Sequence, residues 1–151
     1  MKKRIAIIAV VLTMALTATV NAENLPLESY ISGFNYAARK EMKIDSKTLV
    51  KGITEGNIQL IDIRFKEEFE AWRMGVATSI PLNELPARLN ELQKDKIIVT
   101  TCPHKDRAII AMTYLRTKGF NSKYLTDGLI GLAENLRGDR AKAFVDSLNL
   151  K

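Results

Sequence analysis

The segment KIIVTTCPHKDRAII, residues 96–110, decides the fold. Its first six residues are dense in β-branched side chains and predict a buried strand. The short polar loop that follows carries Cys102, the only cysteine in the sequence. From residue 106 to residue 118 apolar side chains recur at helical spacing, which predicts a helix. A buried strand that passes through a short loop into a helix is the repeating unit of a parallel α/β sheet.

The same alternation of strands and helices runs along the rest of the sequence. Further extended segments are predicted at residues 38–44, 58–63, 79–82 and 123–125. Asp45 or Ser46 is expected to cap a short helix. Other helices are predicted at residues 66–72, 85–92, 129–136 and 141–148. Because the strands are apolar on both faces, the sequence predicts a three-layer α/β fold with a central, mainly parallel sheet and helices on both sides.

The first 22 residues have the three-part layout of a secretory signal peptide. Three basic residues precede an apolar run at residues 5–20, and small side chains occupy Val20 and Ala22. We expect cleavage after Ala22 and a periplasmic or secreted protein with no stable membrane insertion afterwards. The alternative is an uncleaved membrane anchor, which the length of the run disfavours because a span needs about 18 to 20 apolar residues.

Charge and cysteine content narrow the function classes. Removal of residues 1–22 lowers the formal net charge from +6 to +3. No long basic run or basic-aromatic stripe remains, so we expect no nucleic-acid partner. A single cysteine cannot form a disulfide within the chain. Cys102 is therefore either a buried apolar filler or a free thiol with a function.

The loop at residues 102–107 is the first candidate site, because sites in open α/β sheets form at the carboxyl ends of the strands. Its free backbone N–H groups and the N-terminus of the following helix can surround a sulfur anion. We therefore expect a lowered pKa and a reactive, catalytic thiol at Cys102. The residues expected to form the anion-binding loop with it are Pro103, His104, Lys105, Asp106 and Arg107.

These loop residues differ in what they contribute. His104, Lys105 and Arg107 bring positive charge, although each could also be an ordinary surface side chain. Asp106 opposes that charge and is a candidate helix N-cap, and Pro103 has no N–H to donate. His104 is the only histidine, with no second histidine or cysteine at ligand spacing. We therefore expect neither a metal site nor a cofactor.

Asp62 and Arg64 form a second candidate site, since they follow the strand predicted at residues 58–63. The interpretation we favour is a structural ion pair or cap at the strand end. The alternative is that Arg64 lies beside the pocket and helps to hold an anion. Trp72 is expected to be a packing residue, with a place at the pocket rim as the alternative.

Three separate motifs resemble those of rhodanese domains, in the same order and spacing. The opening motif is Leu60-Ile61-Asp62-Ile63-Arg64, followed by Glu68-Phe69, Ala77 and Ile80-Pro81. The Cys102-x4-Arg107-Ala108 loop is similar to the active-site loop of that family. Gly119-Phe120 and residues 124–129 resemble its closing strand and glycine turn.

The resemblance covers residues 45–137. It leaves residues 23–44 as an N-terminal extension and residues 138–151 as a C-terminal helix packed on the domain. It implies a rhodanese-like fold whose central sheet has five parallel strands. The chain departs from the family pattern at residues 72–76, where Gly-His-Ile-Pro-Gly is usual, and at Lys105, where many members have glycine.

The resemblance also implies a function, that of an exported sulfurtransferase of the rhodanese type. The Cys102 thiolate would take sulfane sulfur from thiosulfate or polysulfide and become a persulfide. A thiol or cyanide acceptor would then remove that sulfur. The implied partners are a small sulfur-donor anion and a thiol acceptor, either a small molecule or a protein. The sequence predicts no oligomeric state.

Three other functions stay open at this stage. A periplasmic sulfur carrier that delivers polysulfide to a respiratory enzyme is compatible with a loop weakened by Pro103 and Asp106. A phosphatase or arsenate reductase is disfavoured, because such loops place five residues between Cys and Arg and this one has four. A domain that has lost its chemistry and acts only in protein contacts is disfavoured by the retained Cys102 and Arg107.

Overall fold

The computed structural model of the protein describes residues 24–149. In that part of the chain one sheet contains five strands: β1 (Lys43–Ile44), β2 (Ile58–Asp62), β3 (Thr78–Ser79), β4 (Ile97–Thr101) and β5 (Ser122–Leu125). Their order is β1-β5-β4-β2-β3, and every neighbouring pair is parallel. The predicted α/β fold with a parallel five-stranded sheet is confirmed. The predicted signal peptide and its cleavage point lie outside the described residues.

Helices surround the sheet. Those of residues 24–149 are α1 (Leu27–Ser32), α2 (Tyr36–Glu41), α3 (Ser46–Glu55), α4 (Lys66–Ala71), α5 (Asp106–Thr117), α6 (Gly128–Asn135) and α7 (Asp139–Asn149). Two short 3-10 turns, Leu85–Ala87 and Leu89–Glu91, lie between β3 and β4. None of the helices described is long and apolar enough to cross a membrane.

Each face of the sheet carries its own apolar core, as expected for strands buried on both sides. Ile61 and Ile98 point to one face, where they join Met112 and Leu115 of α5. Their strand neighbours Leu60 and Val99 point to the other face. There they join Leu125 of β5, Leu49 of α3 and Leu132 of α6. The alternation along β2 and β4 therefore fixes both the layers and the position of the loop that follows β4.

Helix α3 shows how local sequence sets an element's bounds. The Asp45 carboxylate accepts the Thr48 N–H at 2.7 Å, so Asp45 is the predicted N-cap. The helix ends at Gly56, whose φ of 81° is a left-handed conformation that glycine adopts without a steric cost. These two caps place the start of β2 directly after the helix.

Two predicted elements have a different form. Residues 38–44, predicted as a strand, lie mostly in α2, because the Asn35 side chain caps that helix by accepting the Ala38 N–H at 3.0 Å. Only Lys43 and Ile44 pair with β5. Residues 85–92, predicted as one helix, form two separate 3-10 turns. The break lies at Arg88, whose non-helical φ of −118° and ψ of 20° end the first turn and begin the second.

The predicted N-terminal extension is joined to the domain at both ends, since Lys43 and Ile44 pair with β5 and Leu25 contacts the end of α5. The backbone N–H of Leu25 donates to the carbonyl oxygen of Thr117, at the end of α5, at 2.8 Å. Several large apolar side chains of the extension are nevertheless exposed: Leu25, Leu27, Ile31, Phe34 and Tyr36.

Candidate active site

The two candidate sites lie at the same edge of the sheet. Asp62 and Thr101 are register partners at the carboxyl ends of β2 and β4. The Ile63 N–H donates to the Thr101 carbonyl at 3.0 Å, so the pairing continues to the residue before Cys102. Parallel pairing thus brings Asp62, Arg64 and the 102–107 loop together, as the carboxyl-edge rule predicts.

Cys102 directly follows the last residue of β4, and it is 0% exposed. It is a free thiol packed in the apolar core on the α5 side of the sheet. Its Sγ donates to the Asp106 carboxylate, with an Sγ–Oδ1 distance of 3.5 Å. The sulfur is therefore shielded from bulk water and in contact with one acidic group.

The acidity of this thiol differs from the sequence-based expectation. Burial raises the pKa of Cys102, and the neighbouring Asp106 carboxylate raises it further. Backbone N–H groups of His104 and Ala108 act in the opposite direction, but they offset only part of the increase. The prediction of a lowered pKa is wrong for this resting state, because desolvation of the thiolate outweighs the loop's N–H groups.

The N-terminus of α6 donates hydrogen bonds to the backbone of the Cys102 loop. The Leu129 N–H donates to the Cys102 carbonyl at 2.9 Å, and the Ile130 N–H donates to the Pro103 carbonyl at 3.3 Å. These bonds use N–H groups that have no partner inside their own helix. They hold the loop carbonyls on the α6 side, and the N–H groups of Ala108 and His104 act to lower the pKa of the Cys102 thiol.

Gly128 makes that support possible. Its φ is +63°, and a Cβ at this position would lie 2.2 Å from the His104 carbonyl oxygen and 2.4 Å from that of Pro103. No side chain fits without displacement of the loop. Gly128 is not among the predicted site residues. It belongs to the glycine turn after β5 that the sequence shows, but its contact with the Cys102 loop depends on the tertiary structure.

Arg107 does not face the sulfur with a free guanidinium. It forms a two-pronged ion pair with Glu68 of α4, with distances of 2.6 Å from Nη1 to Oε2 and 2.9 Å from Nη2 to Oε1. The Arg107 hydrogen bonds lower the pKa of Glu68 to about 2, so this carboxylate is ionised at neutral pH. Glu68 is a neighbour of the site that was not among the predicted residues. Its only sequence signal is its position in the Glu68-Phe69 motif.

The remaining loop residues are solvated to different degrees. His104, Lys105 and Asp106 are exposed, and Pro103 is half-buried. Asp106, the predicted N-cap, is instead the first residue of α5. The N-cap position is occupied by Lys105, whose side chain makes no capping hydrogen bond. Hydrogen bonds from the Arg107 N–H and from Cys102 lower the pKa of Asp106. Among the described residues, no cluster of three His, Cys, Asp or Glu side chains is arranged to hold a metal ion.

Asp62 and Arg64 form an ion pair that is 0% exposed on both sides. The Arg64 Nη2–Asp62 Oδ2 distance is 2.6 Å, and Arg64 Nη2 also donates to the Trp72 carbonyl at 2.7 Å. The Trp72 ring covers the guanidinium, with 4.2 Å from Cζ to the ring centroid. The geometry is that of a structural ion pair at the strand end, the interpretation favoured from the sequence, because protein groups enclose the Arg64 guanidinium.

The chain belongs to the rhodanese-like domain family, whose model matches residues 45–134. A protein named sulfurtransferase from Allochromatium vinosum is 29% identical over 97 residues, which are 64% of this chain and 81% of that protein. The uncharacterized protein YqhL of Bacillus subtilis is 37% identical over 70 residues. That match spans 46% of this chain but little more than half, 56%, of YqhL.

Solved structures share the fold. A protein from Bacillus halodurans superposes with a TM-score of 0.60 at 26% identity, covering 73% of this chain and 82% of that one. A rhodanese-related protein from Thermoplasma volcanium gives a TM-score of 0.56 at 24% identity, covering 62% and 91%. The family and the fold are thereby defined, and the distant sulfurtransferase relative indicates a sulfurtransferase-type family.

Proposed function

We propose that this protein is a sulfurtransferase that moves sulfane sulfur from thiosulfate or a polysulfide to a thiol or cyanide acceptor through a persulfide on Cys102. The observation that carries the proposal is the position of the Cys102 thiol, which is buried at the carboxyl edge of the sheet on a loop that the N–H groups of Leu129 and Ile130 hold in place. Backbone N–H groups of His104 and Ala108 favour its anion, since they act to lower the pKa of Cys102. Such N–H groups stabilise a sulfur anion without reorganisation when it forms.

The first half-reaction is an attack by the Cys102 thiolate on the outer sulfur of the donor. With thiosulfate, the sulfur–sulfur bond breaks, sulfite leaves with the bonding electron pair, and Cys102 becomes a persulfide anion. The thiol proton points to the exposed Asp106 carboxylate, which offers it a route to solvent. The raised thiol pKa means that only a small fraction of the protein carries the thiolate at neutral pH.

The second half-reaction restores the thiolate. A thiol or cyanide acceptor attacks the terminal persulfide sulfur, and the Cys102 thiolate is the leaving group. Neither half-reaction consumes an oxidant or a reductant beyond the donor and the acceptor. The loop must hold the anion through both steps, and the bonds from α6 keep its backbone in place.

A turnover assay tests this proposal. Thiocyanate formation from thiosulfate and cyanide is expected with the wild-type protein and is expected to be absent with Cys102→Ser. A persulfide-forming donor with a thiol acceptor is the second assay. Equal rates for the wild type and Cys102→Ser in both assays would contradict the proposal.

A sulfur carrier is the second candidate function, and the contact between Asp106 and the thiol favours it. This contact and burial disfavour the thiolate that each catalytic cycle must regenerate. A carrier would accept one sulfur and release it only to a specific protein. Rapid steady-state turnover with a small thiol would exclude this function.

Export is also part of the proposal, on the strength of the N-terminal sequence. The periplasm or the exterior would supply inorganic sulfur anions directly to the site. Expression of the full chain in a bacterium with a signal peptidase, followed by N-terminal sequencing of the periplasmic fraction, is expected to give Glu23 as the first residue. A protein that stays in the cytoplasm with its N-terminus intact would contradict export.

A further inference from the structure

The Glu68 carboxylate accepts hydrogen bonds from both terminal nitrogens of Arg107, which would otherwise be free to bind a substrate anion. Each Arg107 terminal nitrogen donates to a different Glu68 oxygen, at 2.6 and 2.9 Å. This is the geometry with which an arginine binds a carboxylate or an oxyanion of a substrate. The only loop arginine therefore already holds a protein carboxylate, supplied from a helix 39 residues away in sequence.

The Glu68 carboxylate is held in this position by more than Arg107. Its Oε2 also accepts the Phe65 N–H at 3.2 Å, which ties the side chain to the start of α4. Its side chain is 35% exposed and that of Arg107 is 27% exposed, so the pair is only partly screened by water. The carboxylate is ionised at neutral pH, since its pKa is about 2.

The pair is attached to the loop that carries the sulfur. Arg107 directly follows Asp106, whose carboxylate contacts Cys102 Sγ at 3.5 Å. The charge of a Cys102 thiolate also helps to raise the pKa of Arg107, as a neighbouring opposite charge does. The Cys102 loop therefore has two carboxylates associated with it, and one of them, Glu68, cancels the charge of Arg107.

We propose that Glu68 determines donor specificity by holding Arg107, so that the site disfavours the dianion thiosulfate relative to singly charged donors such as organic thiosulfonates. The inference rests on the proposed persulfide function. A thiosulfonate, R–SO2–S⁻, reacts in the same way as thiosulfate. The Cys102 thiolate attacks the outer sulfur, the S–S bond breaks, and the sulfinate R–SO2⁻ leaves with the electron pair. The thiolate and the thiosulfonate together carry two negative charges, as do the persulfide and the sulfinate that they form. The thiolate and thiosulfate together carry three.

The test compares kcat/KM for thiosulfate with that for methanethiosulfonate, in which a methyl group replaces one charged oxygen. Glu68→Gln removes the charge and keeps a hydrogen-bond acceptor. The expected result is a five- to tenfold rise in the ratio of kcat/KM for thiosulfate to kcat/KM for the thiosulfonate. A change of this size is expected when one unit charge is removed at a partly solvated surface. The midpoint pH of Cys102 alkylation is expected to fall in the same variant, because Arg107 is no longer neutralised.

Glu55→Gln is the matched control. Glu55 also pairs with a basic residue, Lys51 at 3.2 Å, and its loss changes the net charge equally. It lies at the end of α3, before β2, at the opposite edge of the sheet from Cys102. Its donor ratio is expected to stay within twofold of the wild type. Glu68→Ala, which removes the carboxylate by truncation, is expected to change the ratio in the same direction as Glu68→Gln.

The outcomes separate this inference from the proposed function. If both donors form a Cys102 persulfide but the donor ratio is unchanged in Glu68→Gln and Glu68→Ala, the role of Glu68 is refuted and the sulfurtransferase proposal stands. If neither donor forms a persulfide on the wild-type protein, the proposed function fails, and this inference fails with it. Melting curves identify any variant whose ratio reflects unfolding.

Discussion

Replacement of Gly128 by alanine tests how the fold positions the Cys102 loop. The new Cβ would lie 2.2 Å from the His104 carbonyl oxygen. An ordinary carbon–oxygen contact is at least about 3.3 Å, so loop and helix must separate by about 1 Å. A misplacement of about 1 Å at a reacting group can lower a rate by about 100-fold. We expect Gly128→Ala to reduce the first-turnover rate of persulfide formation by that order.

An alanine at residue 128 would also strain the backbone, and this effect must be distinguished from the displacement of the loop. Gly128 has a φ of +63°, a conformation that costs an alanine about 1–2 kcal/mol. Gly138 has a similar φ of +56°, but a Cβ there meets no atom within 4 Å. Gly138→Ala is therefore the matched control. It carries the same backbone cost without a collision, and its persulfide rate is expected to stay within about twofold of the wild type.

The assay is a single turnover with excess donor. Sulfite release from thiosulfate reports the rate of the chemical step, and urea unfolding of each variant reports its stability. If Gly128→Ala forms the persulfide as fast as Gly138→Ala, the loop is not held in register by the close contact with α6, and the positional argument is refuted.

Two further substitutions test the charges around the loop. Asp106→Asn is expected to shift the alkylation midpoint of Cys102 to lower pH, because the Asp106 carboxylate raises the pKa of that thiol. An unchanged midpoint would contradict this role of Asp106. Asp62→Asn leaves the Arg64 charge buried without its carboxylate and is expected to lower the free energy of unfolding by about 3–5 kcal/mol. Glu134→Gln, which breaks an exposed ion pair, is expected to change it by at most about 1 kcal/mol in the same urea titration, and equal effects would show that burial does not decide the cost.

The layered fold follows from short-range patterns in the sequence. Residues 58–62 and 97–101 are apolar on both strand faces, and such strands occur in parallel sheets covered by helices. Asp45 and Gly56 mark both ends of α3. The predicted elements failed where a local feature outweighed the apolar pattern: an asparagine cap at Asn35 and a non-helical backbone at Arg88.

The position of the candidate site could also be predicted, because it depends only on which residues follow the central strands. Its electrostatics could not. Arg107 belongs to the Cys102 loop motif, but its partner Glu68 comes from another helix and cancels its charge. Likewise, a cysteine before a helix indicates an acidic thiol only if the sulfur stays solvated, and here the core encloses it. Long-range packing decided both outcomes.

The charge balance gives the site a specific character. Asp106 and Glu68 offset much of the positive charge that the loop residues bring. Backbone N–H groups, rather than side-chain cations, are therefore the main groups left to stabilise a sulfur anion at Cys102. In the proposed mechanism, this arrangement would favour the small, singly charged terminal sulfur of a persulfide over a larger oxyanion.

Intact-mass measurement of the protein after incubation with a sulfane-sulfur donor tests the central claim most directly. Persulfide formation is expected to add about 32 mass units, for one sulfur atom, to the peptide that contains Cys102. The adduct should disappear when a thiol is added, and Cys102→Ser should not form it. A wild-type protein whose mass does not change with either thiosulfate or polysulfide, and which is indistinguishable from Cys102→Ser, would contradict persulfide chemistry at this site.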